Sequence, residues 1–313
     1  MKIFITGITG MIGSEVARLV RSQGHETSGI ARSSATSRMA VVDEANVLRC
    51  DIIDRDAVER VIARIQPDLV VHMAAQAYNG ISWEMEDITH LTNYTGTLNV
   101  LRACKLHVPD AKVLLACSSA AYGDVKPEDS PLIEERLLKP ITPYGVSKAA
   151  SEALGFQYWK NFGLKVFLPR LFIHVGTGHP PATAIQNFAR QLALISRGLL
   201  PPQVHVGNLS TARDFVDVRD GARALMLLAE KGNPGEPINI CTGKAYSISD
   251  LLEMLIVASG LDVEVVSDPK LMRPSDEPLL LGNNTKLKNL GWSPDYSMKE
   301  TLATVYQDWL SRI

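Results

Sequence analysis

Tyr144 and Lys148 stand four residues apart in the run Tyr144-Gly-Val-Ser-Lys148. On a helix, that spacing puts both side chains on one face. A lysine cation beside a phenol lowers the phenol's pKa from its free value of about 10. Tyr144 then becomes a candidate proton donor or acceptor near neutral pH. Upstream, Gly7, Gly10 and Gly13 lie between the apolar run Ile3-Phe4-Ile5 and a helix-forming segment. Such a turn suits a dinucleotide. Gly7 permits the tight turn, Gly10 lets backbone approach the pyrophosphate, and Gly13 allows close helix-to-strand packing. The helix N-terminus adds N–H donors and partial positive charge. A nicotinamide beside Tyr144 would give hydride transfer at a carbinol or ketone carbon. A Tyr-x-x-x-Lys alone on a helix carries no such meaning; the glycine turn supplies it.

The end of the second strand bears on which cofactor binds. NAD sites usually place a carboxylate there for the ribose 2′-OH. This chain has Ala31-Arg32-Ser33-Ser34. A guanidinium and two hydroxyls suit a 2′-phosphate, which favours NADP(H) over NAD(H). The alternative is that Arg32 is a solvated loop residue. Asp51, just past the third strand, either accepts a bond from the adenine amino group or caps the next turn.

Several elements must position these residues. Strands are expected over Lys2–Thr6, Thr27–Ala31, Val47–Cys50, Leu69–His72, Lys112–Cys117 and Lys165–Arg170. Helices are expected between them, over Met11–Gln23, Arg55–Ile65, Leu91–His107 and Pro143–Phe162. Alternation at this spacing implies an α/β fold, a doubly wound parallel Rossmann sheet. After Arg170 the rhythm breaks at a Gly- and Pro-rich stretch, Gly176–Pro181. Helices over Ala184–Ser196, Val218–Glu230, Ile248–Ala258 and Met298–Leu310 follow, with strands over Val204–Val206, Ile238–Cys241 and Val263–Val266. A cofactor domain over 1–170, with segments from roughly 208–245 returning to it, and a smaller substrate lobe over 171–313 are expected.

A chain of 313 residues accommodates one large domain and a smaller lobe. The net charge of −2, with both signs interspersed, argues against nucleic acid as a partner. The four cysteines form no CxxC pair, which suits free thiols in a reduced cytoplasm and implies no metal site. No stretch approaches the ~20 apolar residues of a membrane span, and the N-terminus does not read as a signal peptide.

Gly7-x-x-Gly10-x-x-Gly13, His72-Met-Ala74-Ala75, Ser118-Ser119-Ala-Ala-Tyr122-Gly123 and Tyr144-x-x-x-Lys148 occur in this order. Together they resemble the extended short-chain dehydrogenase/reductases, which act on nucleotide-diphosphate sugars. The run Gly207 to Asp220, with Arg213-Asp214-Phe215 inside it, and the run Arg273 to Asn283 are similar to the GDP-mannose 4,6-dehydratase and GDP-4-keto-6-deoxy-mannose reductase branch. Arg170-x-Phe172-x-His174-x-Gly176-x-Gly178 looks most like the reductases.

The resemblance implies roles. Ser118 would hydrogen-bond the substrate C4 oxygen, Tyr144 would protonate it, and Lys148 would lower the Tyr144 pKa and bind the nicotinamide ribose. Cofactor contacts would come from Gly7, Thr9, Gly10, Met11, Ile12, Gly13, Arg32, Ser33, Asp51, Ile52, Ala74, Ala75, Gln76 and Asn93, with Tyr144 and Lys148. Asn93 either touches cofactor, braces the site backbone, or is only an early helix residue. Substrate contacts would come from Gln76, Ser82, Ser118, Ser119 and His174, with Arg213 and Arg273 clamping the diphosphate. Ser119 and His174 each have a purely structural alternative.

Two departures matter. The dehydratases need a Glu two residues before Tyr122, where this chain has Ala120. A methyl group cannot take a proton, so water elimination is disfavoured; Glu84, Glu86 and His174 are the conceivable substitutes. Ile173 replaces a usual Asn, which leaves the sugar contacts there open. The resulting expectation is NADP(H)-dependent reduction of a 4-keto-6-deoxy nucleotide sugar, GDP-linked by preference. A 4-epimerase with tightly bound NAD is the main alternative, and a non-catalytic cofactor sensor is a distant one. Related enzymes pair the Leu91–His107 and Pro143–Phe162 helices into a four-helix homodimer interface.

Overall fold

A computed structural model describes residues 1–32, 46–272 and 278–313. The chain begins with β1 (Lys2–Thr6), α1 (Met11–Ser22), β2 (Glu26–Ala31), β3 (Val47–Arg49), α2 (Arg55–Ile65) and β4 (Leu69–His72). A long helical run follows, built from α3 (Glu86–His90), a π turn over Leu91–Thr95 and α4 (Gly96–His107). Then come β5 (Lys112–Leu115), β6 (Cys117–Ser118), α5 (Pro143–Phe162) and β7 (Lys165–Leu171). The chain leaves through β8 (Ile173–Val175), α6 (Ala184–Ser196), β9 (Gln203–Val206) and β10 (Ala212–Asp217). It returns as α7 (Val218–Lys231) and β11 (Pro237–Ile240). It ends in β12 (Ala245–Ser247), α8 (Ile248–Ser259), β13 (Glu264–Ser267), β14 (Leu279–Leu280), α9 (Thr285–Asn289) and α10 (Met298–Arg312).

The main sheet runs β11-β7-β5-β4-β1-β2-β3, with β6 added to β7, and every pairing is parallel. The doubly wound architecture is therefore the observed one. Its strands read as buried apolar runs because helices cover both faces. Ile3 and Ile5 point to one side and join Val16 and Val20 of α1 and Leu225 and Leu228 of α7. Phe4 points to the other and joins Val58 and Ile62 of α2 and Val100 and Leu101 of α4. Each such side chain contributes about 2 kcal/mol through burial.

The remaining elements make a second core. Phe188 and Leu192 of α6, Leu251 and Leu255 of α8 and Leu302 and Val305 of α10 pack together. Beside them a small mixed sheet runs β12-β10-β14, with β8 on β10, and β13 pairs with β9. Trp309 Nε1 donates to Gln186 Oε1 at 2.8 Å, and Gln186 Nε2 donates to the Gly176 carbonyl at 2.8 Å. That chain of bonds ties the C-terminal helix to the loop following β8.

Three differences from the expected elements have physical causes. The helix expected from Leu91 begins at Glu86, because Ile88 and Leu91 sit on its exposed side and break the core-facing pattern. The strand expected over Lys112–Cys117 is interrupted at Ala116: β5 ends at Leu115, and β6 pairs with Arg170 and Leu171 of β7. β10, with the sequence Ala212-Arg-Asp-Phe-Val-Asp217, was unmarked because its buried positions include Arg213, Asp214 and Asp217.

Candidate active site

β1 has β2 on one side and β4 on the other, so the connections diverge at its carboxyl end. A crevice forms where strand order reverses, and ligands of such sheets bind there. The glycine turn lies in it. Gly7 has φ of +67°, and its N–H donates to the Ile30 carbonyl at 3.0 Å. A Cβ on Gly7 would lie 2.8 Å from Ala74 N, and one on Gly13 would lie 2.3 Å from Gly7 O. The turn is thus pressed against the end of β4 on one side and α1 on the other. Thr9, Met11 and Ile12 are half-buried around Gly10, which is exposed.

Arg32 is exposed at the end of β2, and Ser33 lies outside the described residues. Asp51 Oδ1 accepts from Ile53 N at 3.1 Å, while α2 is capped by Asp54, whose Oδ1 accepts from Ala57 N at 3.0 Å. Asp51 thus caps the turn over Ile52 and Ile53 that leads into α2. Ile52, expected beside the cofactor, turns its side chain into the core against Gly96, and Asn99 Nδ2 donates to its carbonyl at 3.0 Å.

A buried relay of hydroxyls and one imidazole supports the crevice. Thr6 Oγ1 accepts from Ala74 N at 3.1 Å, so its hydrogen goes to His72 Nδ1 at 2.7 Å. His72 Nε2 then donates to Thr97 Oγ1 at 3.0 Å, and Thr97 donates to the Asn93 carbonyl at 2.6 Å. The tautomer follows from this direction of donation. Burial pushes His72 down to about 3, so it stays neutral and the relay keeps its sense.

Asn93 sits in the π turn with its amide fully engaged. Oδ1 accepts from Gln76 N at 2.8 Å, and Nδ2 donates to the Gln76 carbonyl at 3.0 Å and to Ser147 Oγ at 2.9 Å. Asn93 thereby braces the backbone of the site. The Gln76 side chain likewise closes on its own loop, accepting from Tyr78 N at 2.5 Å and donating to the Tyr78 carbonyl at 3.1 Å. Ser82 is fully buried and donates to the Asn79 carbonyl at 2.6 Å. Both were expected at the sugar, and the structure uses both polar groups to shape the loop. Ala75 is half-buried in the same stretch.

Ser118, Tyr144 and Lys148 converge from two elements. Thr142 Oγ1 accepts from Gly145 N at 3.0 Å, and Pro143 occupies the first position of α5. This cap, worth about 1 kcal/mol, fixes the turn that carries Tyr144. Ser118 is the polar side chain that acts on the Tyr144 phenol. Ser118 Oγ accepts from Ala120 N at 3.2 Å. Ser119 is buried beside it. Lys148 Nζ donates at 2.8 Å to the carbonyl of Ala116, the residue at which β5 and β6 part.

The electrostatics correct one expectation. Burial pushes the Tyr144 phenol above its ordinary value, and Ser118 only partly opposes this. Lys148 Nζ lies 5.9 Å from the ring centroid and is itself driven down to about 8 by burial, and its charge does not offset the desolvation of the phenol. Tyr144 is half-buried and keeps its proton at pH 7, which is the form a proton donor needs.

Ala120 is half-buried next to Ser118 and carries no carboxylate. Glu86 is at the surface, 3.8 Å from His90, and Glu84 is exposed. His174 Nδ1 donates to the Phe172 carbonyl at 2.8 Å, leaving Nε2 an acceptor, buried with no partner, and the ring packs on Gly221 of α7. Burial holds His174 below its ordinary value, so it too is neutral. Arg213 is buried on β10, with Nη1 donating to the Ala212 carbonyl at 2.9 Å. Arg273 lies outside the described residues. The loops after β4 and β8 meet where the Tyr78 and His179 rings stand 5.8 Å apart.

Sequence reasoning overlooked Thr6, Thr97 and Ser147, which carry the relay and the brace. Asn93 and Thr97 do stand at helical spacing, and that was the available signal.

Comparisons with known proteins agree over the whole chain. The family model for GDP-mannose 4,6 dehydratase matches residues 4–305. The GDP-6-deoxy-D-mannose reductase of Pseudomonas aeruginosa is 30% identical over 313 residues, covering 100% of this chain and 98% of that protein. The structure of RMD from Pseudomonas aeruginosa complexed with NADPH superposes with a TM-score of 0.89 at 29% identity, covering 100% of this chain and 99% of that one. A UDP-glucose 4-epimerase from Thermotoga maritima with UDP-glucose gives a TM-score of 0.90 at 28% identity, with the same coverage.

Proposed function

The chain belongs to the GDP-mannose 4,6-dehydratase family, and from that premise we propose that it reduces the C4 ketone of a nucleotide-diphosphate 4-keto-6-deoxyhexose, using NADP(H). The substrate class is a GDP-linked sugar and the product a 6-deoxyhexose of the GDP-rhamnose type. The observation that carries the choice of reaction is Ala120 beside an intact Ser118, Tyr144 and Lys148. Reduction needs an acid and an oxygen clamp, whereas elimination needs a further base.

NADPH, when bound, supplies the hydride. This chain's residues do the rest. The glycine turn and the start of α1 hold the pyrophosphate by backbone N–H groups. Arg32 offers a guanidinium to the 2′-phosphate. Ser118 donates to the C4 oxygen and fixes the carbonyl against Tyr144. The neutral Tyr144 phenol gives that oxygen its proton, and Lys148 beneath it steadies the resulting phenolate. Arg213 and Arg273 clamp the diphosphate by forked hydrogen bonds. The larger lobe holds cofactor and the smaller one holds the sugar nucleotide.

The likeness to a UDP-glucose 4-epimerase supports a second reading, in which C4 is oxidised and then reduced from the other face. Arg32 weighs against it, since such enzymes favour NAD and a carboxylate there.

A second copy of the chain is the proposed partner. Ile88, Leu91 and Tyr94 expose an apolar stripe on the helical run, and Val146 and Phe156 do so on α5. Two such faces would close a four-helix interface. Among the described residues no helix is long and apolar enough to cross a membrane, and a cytoplasmic site of action is proposed.

The test mixes purified protein with NADPH and GDP-4-keto-6-deoxy-mannose and follows nicotinamide absorbance. Stoichiometric loss of NADPH with a 6-deoxyhexose product supports the reading. No loss, matched by a Tyr144→Phe control, rejects that substrate and turns attention to epimerisation with co-purified cofactor.

A further inference from the structure

Tyr144, Lys148 and Glu152 are spaced by four along α5 and share its sheet-facing side. Glu152 is 7% exposed and meets Arg170 of β7, which is 4% exposed. Arg170 Nε donates to Glu152 Oε2 at 2.9 Å, and Nη2 donates to Oε1 at 2.6 Å. Nη1 of the same guanidinium donates to Tyr122 Oη at 3.0 Å and to the Glu134 carbonyl at 2.8 Å. Tyr122 is fully buried, stands four residues after Ser118, and donates onward to Asn239 Oδ1 at 2.7 Å.

One buried cation thus holds both elements that make the site. It grips the helix of Tyr144 and Lys148 through Glu152, and the Ser118 segment through Tyr122. We propose that Glu152 and Arg170 are a positioning pair: they seat the Tyr144 and Lys148 face of α5 against Ser118 and set the charge beneath Lys148. This rests on the reductase reading for its choice of substrate, but not for its geometry.

The groups around Lys148 make the charge balance readable. Tyr144 and Glu152 lie on its own helix, His72 on β4, Cys117 on β6 and Arg170 on β7. Buried His72 is neutral, and burial raises the Cys117 thiol so that it is neutral too. Glu152 and Arg170 carry opposite charges beneath Lys148, and the Glu134 carboxylate is buried beyond Arg170, accepting from Asn239 N at 2.9 Å. Removing the Glu152 carboxylate withdraws one negative charge about 11 Å, two helical turns, from Tyr144, while Arg170 keeps buried Glu134 as a neighbour. Loss of that negative charge favours the phenolate.

The experiment compares wild type with Glu152→Gln in two readouts: steady-state reduction of the 4-keto sugar, and pH titration of phenolate absorbance with the Tyr144→Phe signal subtracted. The expected result is a kcat loss on the order of 30-fold with the sugar KM within about threefold, since small misplacement costs rate rather than binding. The Tyr144 titration midpoint falls by about one pH unit. A variant of lowered Tm whose folded fraction keeps wild-type kcat and an unmoved midpoint overturns the proposal and leaves a mere fold stabiliser. Wild type inert on the sugar defeats the reductase reading, and the titration then judges this proposal alone, an unmoved midpoint overturning it. If Glu152→Gln does not fold, Tyr122→Phe decides: a kcat loss of about fivefold at unchanged KM supports the pair's role, and wild-type kcat overturns it.

Discussion

The two ends of the main sheet come from the same strands but are built to opposite plans. At the carboxyl ends, polar groups are buried and bonded to one another: Thr6 to His72, His72 to Thr97, and Asn93 to Ser147. At the amino ends a cleft of about 1240 Å³ opens between α1, α7 and the strand starts. Leu19, Leu69, Met226 and Trp292 are among its lining, with Asp68, Asp110 and His107. Lys112 there donates to the Ala229 carbonyl at 2.6 Å and merely joins β5 to α7. Volume therefore does not locate chemistry in this molecule. Directed donors, a helix N-terminus and groups held away from their free pKa values do, and the carboxyl end has all three.

The contrast can be broken most directly at Tyr144. Tyr144→Phe is expected to lower kcat by about 10³-fold, within the range for loss of a general acid, while NADPH titration by fluorescence stays within about threefold. A variant retaining a tenth of wild-type turnover would mean another group donates the proton.

Lys148→Met should cost about 10²-fold in kcat and alter stability in a pH-dependent way. Lys148 sits at about 8 in the fold against its ordinary 10.5. The unfolded chain binds more protons between those values, so the wild type gains stability as pH rises from about 8 to 10.5. The gain relative to Lys148→Met approaches about 3 kcal/mol, read from denaturant midpoints of both proteins across that window. Parallel pH curves would show that Lys148 is not desolvated.

Arg32→Ala is expected to raise the KM for NADPH about tenfold and leave that for NADH unchanged, as for one lost charge-assisted bond. Equal effects on both cofactors would remove the 2′-phosphate assignment. The smallest effect belongs to the other end of the sheet. Lys112→Met should cost about 1 kcal/mol of stability and leave kcat within about twofold. A large loss of turnover there would collapse the distinction between the two ends.

The chain's alternation of apolar strands and amphipathic helices was legible because each element repeats a short period. Strand β4, Leu69-Val-Val-His72, could be bounded to the residue. The Tyr144 and Lys148 pair was legible because helical spacing is local. What escaped depends on distant pairings. Thr6 reads as the end of a strand until His72, 66 residues away, is beside it. Gln76 and Ser82 read as sugar contacts, yet their side chains are consumed within a turn of themselves. The direction of the Tyr144 shift escaped for a related reason: helical spacing announces the lysine but not the burial that raises the phenol.

The central claim is that hydride enters at C4 and that Tyr144 supplies the matching proton. NADPH carrying deuterium on the transferred face, mixed with enzyme and GDP-4-keto-6-deoxy-mannose, tests it by NMR of the product. The account predicts one deuterium at C4, none at C5 or C6, and labelled product forming about 10³-fold more slowly with Tyr144→Phe. Deuterium at any other carbon, or label at C4 undiminished in Tyr144→Phe, would contradict it.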